Sequence, residues 1–431
     1  MKKKIVKPAS ISGFPEFTPG VQMVAVQQLD RIRKIFELHG FVPVETPVVE
    51  RLEVLLAKGG DADKEMYVLQ RLHAEDDSEA SLGLHYDLTV PFARYVAQHF
   101  NELVFPFRRY QMQYCWRGER PQEGRFRQFF QCDVDVVAVD QLELSFDAEI
   151  PLVVYEALRA LEIGDFDLRI SNRKILQGYL EGLGVEKVQE VTRILDKLDK
   201  IGRDNVLRAL AEQGLSQELG EKSLQIGAIS TRDSSFVERV LGLGVRSSLL
   251  QQGLEELAAV LDTLNRSVGG GCLADLSVTR GFDYYTGTVY EARWREFPEV
   301  GSIAAGGRYD DLASSYTNTR VPGVGMSVGF SRIFAKLAAE NRLPEHLPRC
   351  PTRVLVAWLD PAGPERAREI ARQLRSRGVN TEVYHRPGKI VKQLKYADRK
   401  GIPFVLFDTD AQVKDLRSGE QYAVDLERWM P

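Results

Sequence analysis

Residues 105–139 read FPFRRYQMQYCWRGERPQEGRFRQFFQCDVDVVAV, and the alternation of their side chains decides the fold of the surrounding chain. Successive side chains of a strand point to opposite faces, so strict alternation of polar and apolar residues indicates a strand. The polar positions are Arg109, Gln111, Gln113 and Arg117 in the first half, and Arg125, Arg127, Gln131, Asp133 and Asp135 in the second. The apolar positions between them include Tyr110, Met112, Tyr114, Trp116, Phe126, Phe130, Cys132, Val134 and Val136. The pattern predicts an antiparallel hairpin whose connecting loop is 119–124.

One face of the predicted hairpin is densely polar. Arginines there lie beside amides and carboxylates, and this combination suits a zwitterionic or phosphorylated ligand. A solvent-facing sheet surface with salt bridges is the alternative interpretation.

The chain before the hairpin predicts a helix followed by an edge strand. Apolar residues repeat at a spacing of about 3.6 from Val21 to Leu38, and His39-Gly40 is a helix-ending signal. A strand is predicted at 41–44. Its proline, and the one at Pro47, exclude a central position in a sheet and favour an edge or an interface.

The chain after the hairpin divides into a helical insertion and a second strand-rich region. The insertion is predicted at about 172–265, with helices at 185–201, 205–213, 236–243 and 249–264. Strands are predicted at 273–278 and 288–293, a turn at 306–309, a glycine-rich segment at 322–329 and a helix from about Ser331. The glycines of that segment would let a ligand lie directly on the backbone.

The last 80 residues or so alternate between strands and helices. Strands are predicted at 354–358, 381–384 and 404–407, and helices at 365–377 and 390–400, which indicates a separate α/β domain with a mostly parallel sheet. The boundary is predicted near 340–352, where proline density rises.

From Pro351 onward there are 15 lysines and arginines against 11 aspartates and glutamates, in a chain of net charge -4. This excess of four positive charges permits RNA binding, and an accidental asymmetry of a solvated surface is the alternative.

Composition excludes several classes of protein. A chain of 431 residues with 44% hydrophobic and 27% charged residues predicts two to three globular domains. The sequence contains no apolar run of about 18 residues and begins without an apolar signal core, so we expect a cytoplasmic protein with no membrane contact. The four cysteines and six histidines show no ligand spacing, so any metal should arrive with a substrate.

Residues 280–291, RGFDYYTGTVYE, resemble the signature peptide of the histidyl-tRNA synthetases, a class II aminoacyl-tRNA synthetase family. Residues 41–49, 114–131 and 323–332 resemble motifs 1, 2 and 3 of that class in order and spacing, and 392–398, KQLKYAD, resemble the anticodon-binding domain. The resemblance implies an α+β fold. Residues 1–340 would form a catalytic domain on an antiparallel sheet, with the helical insertion at about 172–265, and residues 351–431 an α/β anticodon-binding domain. Motif 1 implies a homodimer.

The resemblance also implies roles for four arginines. Arg117 would contact the α-phosphate of ATP, Arg125 would lie over the nucleotide, and Arg332 would hold the γ-phosphate end. Arg280 matches the catalytic arginine that aligns the substrate carboxylate with the α-phosphate. Mg²⁺ would bridge the phosphates.

A histidine pocket is implied by the same resemblance. Asp87 and Thr89 match positions that bind the α-ammonium group, and Gln131 matches one near the carboxylate. Asp135 and Tyr285 would take the two imidazole nitrogens, with Tyr284 in the same pocket and Tyr309 closing it. An imidazole offers both a donor and an acceptor. Pockets built on such hydrogen bonds discriminate by roughly 10⁴ to 10⁵, which removes the need for an editing domain.

The implied reaction joins L-histidine to ATP as histidyl-adenylate, releases pyrophosphate, and then transfers histidine to the 3′-terminal adenosine of its tRNA. A non-catalytic, synthetase-like regulatory subunit of ATP phosphoribosyltransferase is the alternative. The presence of Arg117, Arg280 and Arg332, together with the tail domain, favours the enzyme. Three features depart from the family pattern: His85 where many relatives have arginine, Ser331 where others often have glutamate, and a short segment near 408–413.

Overall fold

The computed structural model describes residues 7–57, 65–73, 81–279, 284–344, 346–347, 349–360 and 362–431. Two compact units divide these residues: the first comprises the described residues up to 15 together with 28–340, and the second comprises 16–27 and 341–431.

The elements before residue 138 surround the hairpin. They are α1 (Pro19–Leu38), β1 (Val42–Pro43), β2 (Val49–Arg51), α2 (Leu52–Leu55), β3 (Val68–Leu69), β4 (Leu82–Leu84), α3 (Thr89–Gln98), β5 (Phe107–Trp116) and β6 (Gln128–Val137). The strands β5 and β6 form the predicted antiparallel hairpin.

The middle of the chain is mainly helical. Its elements are α4 (Ser145–Ala160), β7 (Phe166–Asn172), α5 (Arg173–Gly182), α6 (Val188–Leu195), α7 (Leu198–Ile201), α8 (Arg203–Glu212), α9 (Gln217–Gln225), β8 (Ser230–Thr231), α10 (Phe236–Gly242) and α11 (Ser248–Val268). The first unit then ends with β9 (Cys272–Asp275), β10 (Thr288–Trp294), β11 (Ser302–Tyr309), β12 (Gly323–Val328) and α12 (Phe330–Ala339).

One large sheet carries the first unit. Within the described residues it has nine strands in the order β1-β5-β6-β12-β11-β10-β7-β9-β8. Neighbouring strands are antiparallel except for the pairs β1/β5 and β7/β9. The short strand β1, which contains Pro43, lies at the edge, so the predicted edge position is confirmed. A proline lacks the backbone N–H that a central strand needs.

Two predictions for the strands of this sheet were wrong in detail. The strand β6 begins at Gln128, so Arg125 and Arg127 lie in the connecting loop, where Gln122 and Arg125 form an isolated bridge. The predicted turn at 306–309 is the end of β11, and the glycine-rich segment forms β12. Glycine is favourable in these two strands because side chains would collide: a Cβ on Gly306 would overlap the backbone of Gly325.

The insertion is helical as predicted, with two differences. The predicted helix at 185–201 is two helices, α6 and α7, and the region includes the short strand β8, which pairs with β9. Local signals set the ends of its longest helix. The Ser247 hydroxyl accepts a hydrogen bond from the backbone N–H of Leu250, and the left-handed Gly269 ends α11.

The second unit is built on a five-stranded sheet. Its elements are β13 (Val354–Ala357), α13 (Glu365–Ser376), β14 (Thr381–Val383), α14 (Ile390–Lys400), β15 (Phe404–Phe407), β16 (Gln412–Asp415) and β17 (Gln421–Ala423), and the strand order is β14-β13-β15-β16-β17. The first three strands are parallel, as predicted, and β16 and β17 form an antiparallel hairpin that was not predicted. Alternate residues of β13 face two cores, Val356 packing with Leu374 of α13 and Leu355 with Ala397 of α14.

Candidate active site

A cavity of about 560 Å³ lies against the polar face of the β5–β6 hairpin. Every predicted site residue that the structure describes lines it: Asp87, Thr89, Arg117, Arg125, Gln131, Asp135, Tyr284, Tyr285, Tyr309 and Arg332. Arg280 lies outside the described residues. The interpretation of the polar face as a solvent-facing surface is wrong, since Arg109, Gln111, Asp133 and Asp135 are all at most 3% exposed.

Asp135 lies at the deepest end of this polar face, between two partners. Its Oδ2 is 2.8 Å from Nη2 of Arg109, and its Oδ1 accepts a 2.9 Å hydrogen bond from the Tyr309 hydroxyl. Burial raises the pKa of Asp135, while Arg109 and Tyr309 oppose that rise. The antiparallel register sets Arg109 opposite Asp135, so the hairpin itself forms the ion pair.

The two carboxylate oxygens of Asp87 have different surroundings. Its Oδ1 accepts a 3.1 Å hydrogen bond from the N–H of Val90 in the first turn of α3. Its Oδ2 is buried and has no hydrogen-bond partner among the described residues. Burial raises the pKa of Asp87 to about 6. One carboxylate oxygen is therefore available to a cation in the cavity.

The opposite end of the cavity is cationic. Arg332 at the start of α12 donates from Nε to the carbonyl of Gly124 at 2.9 Å and from Nη1 to the carbonyl of Ser302. The pKa of Arg332 is lowered, first by burial and then by the charges of Arg125 and Arg117. Three guanidinium groups in mutual electrostatic range favour an anion with several charged oxygens.

Arg117 follows the last residue of β5 and is held in place by two contacts. Its Nε donates to the carbonyl of Tyr86 at 3.0 Å, and its guanidinium lies 4.9 Å from the centre of the Phe129 ring. The more exposed Arg125 pairs with Glu119 at 3.4 Å. The guanidinium group of Arg117 is thus held in one position, whereas the more exposed side chain of Arg125 is less constrained.

Lys336, which sequence reasoning missed, ties two loops of the cavity wall to α12. Its Nζ lies 2.8 Å from Glu340, 2.9 Å from Glu299 and 3.2 Å from Glu123, and these ion pairs raise the pKa of the amine. Glu123 belongs to the hairpin loop and Glu299 to the segment before β11. The lysine therefore holds both loops beside the arginines.

Close backbone approach explains one glycine of the cavity floor. A Cβ on Gly325 of β12 would overlap the carboxylate of Asp135. At this point the glycine-rich segment lets the Asp135 side chain, rather than a ligand, lie directly on the backbone.

Two departures from the family pattern have structural partners. His85 is fully buried, with Nε2 2.6 Å from the carbonyl of Tyr114, and burial lowers its pKa. Ser331 accepts a 2.7 Å hydrogen bond from the N–H of Phe130 and thereby joins α12 to β6. Both residues support the hairpin. The third departure, near 408–413, includes the start of β16.

Sequence reasoning placed Arg109 and Asp133 on the polar face but did not assign them to the site, and it missed Ser327. Gln131 donates from Nε2 to the Ser327 hydroxyl at 2.6 Å, and Asp133 and Ser327 both line the cavity. The alternation that identified Gln131 and Asp135 also contained the signal for Asp133, which lies midway between them.

The second unit offers a basic helix face. Lys392, Lys395 and Arg399 of α14 are exposed. Lys400 is different from the prediction: its Nζ pairs with Glu382 at 2.8 Å and lies 5.1 Å from the centre of the Tyr396 ring. Three of the four predicted cations are therefore in a position to meet anions from solvent.

No helix in the described part of the chain is both long and apolar enough to span a membrane.

Comparisons with known proteins agree with this geometry. A family described as histidyl-tRNA synthetase matches residues 13–333, and a family described as anticodon binding domain matches 353–430. The histidine–tRNA ligase of Thermobifida fusca (strain YX) is 52% identical over 436 residues, which cover 99% of each chain. The crystal structure of histidyl-tRNA synthetase from Nostoc sp. PCC 7120 has a TM-score of 0.83 at 36% identity, with 97% of each chain covered.

A more distant structure shares the fold alone. It comes from Bacillus halodurans C, is named as an ATP phosphoribosyltransferase regulatory subunit/histidyl-tRNA synthetase, and has a TM-score of 0.76 at 20% identity, covering 94% of this chain and 99% of its own. The matches over nearly the full length at much higher identity decide the family. The chain belongs to the histidyl-tRNA synthetases.

Proposed function

We propose that this chain is a histidine–tRNA ligase whose cavity activates L-histidine with ATP and then transfers the histidyl group to the terminal adenosine of histidine tRNA. One observation carries the proposal: a single cavity joins a cluster of arginines to a cluster of buried carboxyl groups along one strand face. The first suits the triphosphate of ATP, and the second suits the ammonium and imidazole groups of histidine.

The arginines serve the nucleotide. Arg117 contacts the α-phosphate, Arg125 lies over the nucleotide, and Arg332 takes the γ-phosphate end. In this structure Arg332 donates to the backbone carbonyls of Gly124 and Ser302, which are neutral. A charged phosphate would therefore be a stronger hydrogen-bond acceptor for Arg332. Arg280 is assigned to align the histidine carboxylate with the α-phosphate on the basis of the signature peptide.

Histidine occupies the carboxyl end of the cavity. Oδ2 of Asp87, which has no hydrogen-bond partner among the described residues, accepts from the α-ammonium group beside Thr89, and Gln131 lies near the carboxylate. Asp135 and Tyr285 take the imidazole nitrogens, with Tyr284 and Tyr309 packing around the ring. A ring contact of 6.2 Å between Tyr284 and Tyr309 supports a shared aromatic wall.

Catalysis depends on positioning and charge. The histidine carboxylate attacks the α-phosphorus, pyrophosphate leaves, and negative charge grows on the non-bridging oxygens, which fixed guanidiniums stabilise. Mg²⁺ enters as the MgATP complex. Mg²⁺ prefers oxygen ligands and commonly binds through substrate phosphates.

The remaining proposals concern organisation. Residues 1–340 form the catalytic domain with its insertion at about 172–265, and residues 351–431 bind the anticodon region of the tRNA. The enzyme is a cytoplasmic homodimer. Exposed apolar residues near motif 1, Leu38 at 80%, Val42 at 46% and Val49 at 37%, support an interface there. Sedimentation of an active monomer at micromolar concentration would contradict the dimer.

A histidine-dependent ATP–pyrophosphate exchange assay tests the activity. We expect exchange with L-histidine and none above background with L-glutamine, which can hydrogen-bond but lacks the ring. A regulatory subunit would catalyse no exchange with either. The similarity to histidine–tRNA ligases over 99% of the chain does not favour that alternative.

A further inference from the structure

Asp133 is the one carboxyl group on the cavity face of β6 to which no role has been assigned. It is 3% exposed and lines the cavity, and its Oδ1 has no hydrogen-bond partner among the described residues. A buried carboxylate oxygen without a partner is costly unless a ligand satisfies it.

The charges around Asp133 do not neutralise it. Arg109 of β5 lies nearby but is engaged by Asp135, and the Ser327 hydroxyl of β12 donates a hydrogen bond that only partly compensates. Asp135 of the same strand and Asp87 ahead of α3 add negative charge. Among the described residues, the phenol of Tyr285 and the thiols of Cys115 and Cys132 are also in electrostatic range of Asp133, and all three remain neutral because burial raises their pKa values. Among the described residues, these three carboxyl groups interact with two guanidinium groups, those of Arg109 and Arg117, and the excess of carboxyl groups favours an incoming cation.

The position of Asp133 along the strand identifies which cation. Residues two apart on one strand face are separated by roughly 7 Å, so Gln131 and Asp135 are about 13 Å apart with Asp133 between them. The proposed roles put the histidine carboxylate near Gln131 and the imidazole near Asp135. The α-carbon, which carries the ammonium group, then lies at the level of Asp133.

We propose that Asp133 is a substrate-binding residue that, together with Asp87, receives the α-ammonium group of histidine. This inference rests on the proposed function and adds a substrate contact to it. Two carboxylates then share one ammonium, whose three N–H groups can serve both.

Binding of histidine at Asp133 is coupled to the release of a proton. Burial raises the pKa of Asp133 to about 7 in the empty cavity, so near neutral pH a fraction of the molecules carry the protonated acid. An ammonium group binds the ionised form. L-Histidine should therefore release a proton from Asp133 on binding, and its affinity should fall as pH drops below 7 through this group.

The test compares L-histidine with 3-(imidazol-4-yl)propionate, which lacks only the ammonium group. Isothermal titration of the full-length Asp133→Asn variant should show affinity for L-histidine reduced at least about 10-fold, as expected for loss of a charge-assisted hydrogen bond, and affinity for the propionate changed less than about two-fold. Asp87→Asn should likewise weaken the binding of L-histidine more than the binding of the propionate. Asp140→Asn, a substitution at an exposed position just after β6, should leave the affinities for both ligands unchanged.

Equal weakening of both ligands by Asp133→Asn, or no weakening of either, would overturn the inference. Titrations at pH 7 in two buffers of different ionisation enthalpy add a proton count. We expect Asp133→Asn to release fewer protons with L-histidine than the wild type, and an unchanged count would also overturn it. If Asp133→Asn does not fold, Asp133→Ser gives the same comparison. Pyrophosphate exchange by the wild type tests the proposed function separately, because exchange can occur whether or not Asp133 discriminates.

Discussion

At the scale of single residues, the cavity concentrates carboxyl groups that burial and pairing have made different from one another. Asp135 has two partners, Asp87 has one oxygen committed to a helix, and Asp133 has an oxygen without a partner among the described residues. These differences arise from position on one hairpin and the turn beside it, and they predict different consequences of substitution.

Substitution of Asp135 should weaken histidine binding and lower the stability of the fold, without changing ATP binding. Asp135→Asn removes the charge that pairs with Arg109 and that we propose binds the imidazole, so we expect the KM for L-histidine to rise at least about 10-fold and the KM for ATP to stay within about two-fold. Tm should fall because the buried Arg109 loses the carboxylate with which it forms its direct ion pair. Exchange kinetics and thermal denaturation measure these effects. Parallel increases in both KM values would assign Asp135 to the fold alone.

Changing Asp133 should stabilise the fold at high pH. A carboxyl whose folded-state pKa is raised contributes stability below its unfolded pKa and loses it as pH rises through the folded value. For Asp133 the loss runs from about pH 4, the ordinary value, to about pH 7. Asp133→Asn should therefore raise the free energy of unfolding by up to about 4 kcal/mol at pH 8 and by little at pH 4.

Urea denaturation at several pH values checks this sign. Asp140→Asn is the matched control, because it makes the same chemical change at an exposed position. Lower stability of Asp133→Asn at pH 8 would show that the charged form is well paired in the folded protein.

At the scale of elements, a buried ion pair joins β11 to α4 behind the cavity. Arg308 Nη2 lies 2.6 Å from Asp147 Oδ2, and the same guanidinium donates to the carbonyl of Leu142 at 3.0 Å. Asp147 is fully buried, and burial raises its pKa despite the arginine. The strand that supplies Tyr309 is thus held to the helix by the neighbouring residue.

Breaking this pair should destabilise the first unit. Arg308→Met leaves the Asp147 charge buried and unpaired, so we expect a loss of about 3–5 kcal/mol in urea denaturation. The double variant Arg308→Met/Asp147→Leu removes both charges and should recover much of that loss. A single variant as stable as the wild type would show that solvent reaches Asp147.

At the scale of the whole molecule, amino-acid activation and tRNA recognition are proposed for different parts of the chain. The first unit contains the cavity, and the second carries the exposed cations of α14. A change confined to α14 should therefore affect only the step that uses tRNA.

Charge reversal on α14 tests this division. Lys392→Glu/Lys395→Glu should raise the KM for tRNA in aminoacylation and leave histidine-dependent exchange unchanged. The slope of log affinity against log salt concentration should become shallower by about one for each phosphate that the variant no longer binds. Arg366→Glu/Arg368→Glu on α13 makes the same change of charge on another exposed helix face. Equal effects of the two variants would indicate a general loss of attraction for RNA and not a binding surface on α14.

Local sequence patterns determined the hairpin, the faces of its strands, the edge position of the proline-containing strand and the alternating elements of the tail, because each depends on periodicity or on the chemistry of one residue. Ten of the eleven site residues that the family resemblance implied line one cavity, and the eleventh, Arg280, lies outside the described residues. The motif resemblance supplied the choice among polar residues that alternation alone could not make.

Only the tertiary structure decided the state of those residues. Burial of the polar face, the pairing of Asp135 with Tyr309 174 residues away, and the oxygen of Asp133 that has no partner among the described residues all depend on which strands pack together. The strands β8, β16 and β17 were missed because their pairing and not their local composition stabilises them. Desolvation and contacts between distant parts of the chain leave no periodic trace in the sequence, and these two effects set the charges of the site.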